Sequence, residues 1–198
     1  MPTVTNVSID EHVTGNRLLG LLESVSSGIS GTLENDARLN IIHTRIVTTA
    51  DLSIVEAGSG AAKAGGVLIM TIPSQVAMQP LWASVRGRLS MSAATATGTD
   101  GEVGLGSVIA SGAADNLSGT ATFENILQGG VPDLDNIAAG TSVFHASIDG
   151  LRTAHIGTGA APTNIFLNGA TNVAVAVSDL VFESGGVIEI VWAAIPLT

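Results

Sequence analysis

A chain of 198 residues with 17 Asp and Glu against seven Lys and Arg carries a net charge of −10, and only 12% of its residues are charged. That length suits one domain burying roughly 70% of the surface its unfolded chain exposes, while the low charge leaves an outer surface of Thr, Ser, Asn, Gly and Ala able to pack on another protein with few ions to desolvate. The acidic balance argues against the clustered cations that phosphate backbones demand and against anionic membranes, so neither nucleic acid nor membrane is an expected partner; with no Cys, disulfides and thiolate metal sites are excluded and stability rests on packing.

The first residues, MPTVTNVSIDEHVTG, lack the basic region and apolar run of a signal peptide. No stretch reaches the ~18 apolar residues of a spanning helix, and two Trp, four Phe and no Tyr do not make the aromatic girdles of a membrane barrel. The expectation is a soluble protein made in the cytoplasm without export. NRLLGLLESV at 16–25 predicts one short helix, with Asn16 as cap and Leu18, Leu19 and Leu22 on one face. SVSSGISG then marks a flexible joint. Residues 1–37 therefore form an extension distinct from 38–198, either an arm docking on a neighbouring subunit or a terminus covering one end of its own domain.

From Arg38 the pattern turns to strands. RLNIIHTRIVTT puts Leu39, Ile41, His43, Arg45 and Val47 on one face and Asn40, Ile42, Thr44, Ile46 and Thr48 on the other. Strands follow at 52–56, at 65–73 and at 80–91, where Leu81, Ala83, Val85, Gly87 and Leu89 alternate with Trp82, Ser84, Arg86, Arg88 and Ser90. Arg86 and Arg88 then point to solvent or to a partner chain. Turn signals at Gly98, Asp100-Gly101, Gly112 and Asn116 punctuate the middle, with strands expected at 103–110, 118–124, 142–148, 152–156 and 163–168. Strands at 173–183 and 187–195 flank Ser184-Gly185-Gly186, a break that predicts a closing hairpin. In the last strand Ile188, Ile190 and Trp192 alternate with Val187, Glu189 and Val191, so both faces are largely apolar. One row enters the core; the other is expected against a partner subunit, since burying a Val or Ile is worth about 1.5–3 kcal/mol. The count and rhythm predict an all-β fold, an antiparallel two-sheet sandwich that is jelly-roll-like.

No residue qualifies as catalytic, cofactor-binding or metal-binding. His12, His43, His145 and His155 show no HxH or HExxH spacing, and ordinary hydrogen-bonded or surface histidines are expected. Asp133 and Asp135 in PDLDN lack the Gly and the distant Glu of a calcium loop. Asp100 and Glu102 in TGTDGE read as a turn. GLGS at 104–107 opens a GxGxxG pattern, but Ile109 stands at its final position and no helix follows. A carboxylate pair for glycoside hydrolysis leaves no mark in sequence, and the aromatic platforms that sugar sites use are scarce here, so the chain is not expected to be an enzyme.

Residues 38–198, with their Thr/Ala/Gly-rich strands, Cys-free and Lys-poor composition and the late stretch FLNGATNVAVAVSDLVFESGGVIEIVWAAI at 166–195, resemble the structural proteins of tailed bacteriophage particles, in particular jelly-roll capsid decoration (cement) proteins and head fibres. The resemblance implies a virion protein on the outer capsid surface. There it would be a homo-oligomer, a trimer by analogy, binding the major capsid protein of the same particle and stabilising the shell. The alternative is a receptor- or carbohydrate-binding jelly-roll module on a tail fibre, which needs an exposed cluster containing Trp82, Trp192 or the aspartates of the 132–136 loop.

Overall fold

The structure, a computed structural model, describes residues 3–9, 31–38, 41–55, 64–74, 76–91, 101–112, 116–118, 120–130, 141–147, 156–157, 161–171 and 180–196, with the backbone alone for 3–9, 31–38 and 141–147 and at 55, 76, 91, 101, 130, 171 and 194–196. The strands are β1 (Thr3–Ile9), β2 (Gly31–Arg38), β3 (Ile41–Thr48), β4 (Leu52–Val55), β5 (Ala64–Ile72), β6 (Val76–Met91), β7 (Gly101–Gly106), β8 (Leu127–Gly130), β9 (Thr141–Ser147), β10 (Thr163–Thr171), β11 (Leu180–Phe182) and β12 (Val187–Pro196). The larger sheet runs β1-β2-β3-β12-β6, with β9 and β11 also on β6 and β4 beyond β11; the smaller runs β5-β10-β7-β8. Every pairing is antiparallel except that of β1 with β2. The chain crosses between sheets from β4 to β5, β5 to β6, β6 to β7, β8 to β9, β9 to β10 and β10 to β11, which makes the all-β, jelly-roll-like sandwich that the pattern predicts.

The core lies between the sheets because period-two alternation gives each an apolar inner face. β3 alternates as expected, burying Ile42, Thr44, Ile46 and Thr48. On β12 the inward row is Ile188, Ile190 and Trp192, all fully buried. The smaller sheet contributes Ile69, Met70, Ile72, Val103, Leu105, Leu127, Ile165 and Leu167. β6 departs from strict alternation at Leu81, which falls at a register irregularity because Pro80 pairs with Trp192 and Trp82 with Val191. Before it Met78 and Pro80 are buried, and after it Ala83, Val85 and Leu89. One extra residue reverses which parity faces the core, and Leu81 itself is half-buried.

The expected closing hairpin is corrected. β11 and β12 do not pair with each other: both run antiparallel to β6, β11 along Leu89–Met91 and β12 along Val76–Arg86. They are two lengths of one strand direction, bent at Glu183–Gly186. β3 and β4 bend opposite them, for β12 pairs β3 and β11 pairs β4. The two bends lock together. Thr48 donates its N–H to Gly186 O at 2.9 Å and accepts from Gly185 N at 2.8 Å, while Asp51 Oδ1 accepts from Ser184 N at 2.8 Å. Gly185 has φ +83°, the left-handed conformation glycine adopts without steric cost.

Other expectations shift locally. The strand expected at 118–124 is instead a turn and a short 3-10 helix, Ala121–Phe123, with β8 following it. Of 152–156 the structure describes only Ile156, which bridges Met78. The helix expected at 16–25 lies outside the described residues. Residues 31–37, assigned by sequence to the extension, lie in β2, which pairs with β3 along its whole length.

Candidate interaction surface

The outer face of the larger sheet brings together His43, Trp82, Arg86, Arg88 and the outward row of β12. β12 sits between β3 and β6, so its outward residues form cross-strand rows: Val187 with Val47 and Arg86, Glu189 with Arg45 and Ser84, and Val191 with His43 and Trp82. Glu189 is the hub. Its carboxylate accepts from Arg86 Nη2 at 2.5 Å and lies 3.6 Å from Arg45 Nε and 3.7 Å from His43 Nε2, with only 14% of the side chain exposed. Arg88 reaches Glu183 at 3.4 Å. Each pair is part-exposed and worth at most about 1 kcal/mol. Together they place a half-buried carboxylate among cations and leave Val47, Val187, Val191 and Trp82 half-buried around it, with Ile41 exposed at one end.

Arg86 and Arg88 point away from the core as expected, and His145 stands on β9 opposite Arg86 in the register. Trp82 lies on the outer face. Trp192, the other aromatic of the carbohydrate-binding alternative, is fully buried in the core and cannot join an exposed cluster, which leaves Trp82 and the aspartates of the 132–136 loop as its remaining candidates. His12, His155, Asp100, Asp133 and Asp135 lie outside the described residues. Ser84 Oγ and Trp192 Nε1 are buried without a hydrogen-bond partner among the described residues, a cost of about 1–3 kcal/mol for such a group.

The smaller sheet is covered on its outer side by residues 107–112, 116–118 and 120–126. Asn168 on β10, fully buried, holds it there: Oδ1 accepts from Ala110 N at 2.9 Å, and Nδ2 donates to Val108 O at 2.9 Å and Phe123 O at 2.8 Å. Leu117, Ala110, Ala64 and Ala170 pack beneath it, with Phe123 alongside. The GLGS glycines serve this packing. A Cβ on Gly106 would lie 2.4 Å from the Phe123 backbone, so close backbone approach, and not phosphate binding, accounts for the motif. Glu102 accepts from Leu117 N and Glu124 from Gly129 N, which gives both carboxylates structural work. Val108 and Ile109 are exposed at the rim.

Among the described residues no group of three or more His, Asp or Glu side chains is placed to hold a metal ion, and no helix is long and apolar enough to cross a membrane. The arrangement on the larger sheet offers a face of apolar rows around internally compensated charge. No protein-family model matches the chain, and neither a curated protein nor a solved structure matches it.

Proposed function

We propose that the protein is a non-enzymatic structural subunit that assembles with copies of itself through the outer face of its larger sheet and coats a protein shell, as a capsid decoration protein on the outside of a virion does. The observation that carries this reading is the row pattern on β12. Val187 and Val191 flank a carboxylate already neutralised by Arg86 and Arg45, so a partner can cover the face without leaving an isolated buried charge. The overall charge of −10 supports an outer location, since proteins facing packaged nucleic acid need cations.

The test is the copy number of the protein in purified particles, by quantitative mass spectrometry against the most abundant shell protein. Hundreds of copies in a simple ratio to the shell subunit are expected. A handful would move the protein to the tail or its fibres, and absence from particles would overturn the virion reading.

A further inference from the structure

We propose that β1 is exchanged between copies, so that Thr3–Ile9 of one protomer pairs in parallel with β2, Gly31–Arg38, of a second copy of this chain. The proposal rests on the assembly reading above and names the element that joins the copies. β1 stands at the end of the larger sheet and is hydrogen-bonded to β2 alone, in the one parallel pairing among the described strands. β2 is already paired with β3 from Gly31 to Arg38, so the body of the sheet is complete without β1. Its free edge accepts the same strand whichever chain supplies it.

The connection does not bind β1 to its own sheet. A parallel partner obliges the chain to travel back along the strand, about 23 Å for seven residues at ~3.3 Å each. Residues 10–30 separate the two strands, a length that extends to about 70 Å at ~3.3 Å per residue and spans the return path or the distance to a neighbour. Exchange keeps every β1–β2 hydrogen bond, and strand exchange of this kind is a low-cost route to oligomers. A tethered strand has an effective concentration on the order of millimolar for its own edge, so the contact between outer faces supplies the bias towards exchange. Charge does not oppose exchange. TVTNVSI carries no charged residue, whereas β2 carries Glu34, Asp36 and Arg38, and an uncharged strand approaches an acidic neighbour without like-charge repulsion.

The absence of cysteine makes the test direct. Val4 and Leu33 are register partners, as are Thr3 and Thr32. The full-length double variant Val4→Cys/Leu33→Cys is oxidised under native conditions, sized by light scattering, then denatured and run without reductant beside the two single variants. Exchange predicts chains linked into covalent dimers or larger species that collapse on reduction, with the single variants unlinked. An oligomer whose chains all run at monomer mass, each closed by an internal disulfide, overturns the exchange and leaves the assembly standing. A monomer by light scattering overturns both. Thr3→Cys/Thr32→Cys repeats the experiment should the first pair fail to fold, and a folded protein forming no disulfide in either pair overturns the β1–β2 pairing and the exchange with it.

Discussion

Asn168 is the residue on which the outer layer of the smaller sheet depends. All three of its hydrogen bonds reach backbone atoms 45 to 60 residues away, and a Cβ on Gly66 would lie 2.1 Å from its Oδ1, so the amide is fitted from both sides. Asn168→Asp removes the two N–H donors and sets a carboxylate against the carbonyls of Val108 and Phe123. The expected cost is about 3 kcal/mol, at the upper end for leaving buried groups unsatisfied, read as a lower urea midpoint, with cleavage by added protease moving to the 107–123 segment. An unchanged midpoint would refute the clamp. A strand at 163–168 is legible from the sequence, because alternation is local. That its Asn is a buried clamp is not, because an amide looks the same whether it meets water or a distant carbonyl.

The bent pair formed by β3–β4 and β11–β12 is the element that shapes the larger sheet. Phe182 is fully buried at the bend, and its ring occupies the space above two glycines: a Cβ on Gly186 would lie 2.2 Å from it and one on Gly87 2.4 Å. Gly186→Ala is expected to destabilise by about 1–3 kcal/mol, the usual cost of overpacking. Phe182→Ala opens space and costs about 3–5 kcal/mol by itself. In a double-mutant cycle, Gly186→Ala should cost markedly less in the Phe182→Ala background, a coupling of at least ~1 kcal/mol measured by chemical denaturation. Additive effects would mean that the ring does not set the need for glycine. The Ser-Gly-Gly break is plain in the sequence, but its meaning is not, since a two-strand turn and a bend in one strand demand the same local residues.

At the scale of the whole molecule the two outer faces differ. One is covered by residues 107–112, 116–118 and 120–126 of the same chain, the other carries the Glu189 cluster with valines and Trp82 around it. If this outer face joins copies, Val191→Asp places a further acidic charge in the contact while disturbing only a half-buried site in the monomer. The expected result is loss of the oligomer by light scattering, with thermal unfolding of the separated chain changed by no more than about 1 kcal/mol. Retention of the oligomer would exclude this face as the contact.

Period-two patterning by itself determined the all-β class, most strand positions and the division of β3 and β12 into two rows, because which residues share a side of a strand depends only on their immediate neighbours; which row faces the core came from the packing of the sheets. The tertiary structure alone decided the rest. The sixteen residues of β6 run beside both β11 and β12 and so turn an apparent hairpin into a continuous bent strand; the extra residue at Leu81 exchanges the faces of half of β6; and contacts across 45 residues or more bury Asn168. Each outcome depends on a partner segment far away in the chain, and local propensity carries no information about which partner will be there.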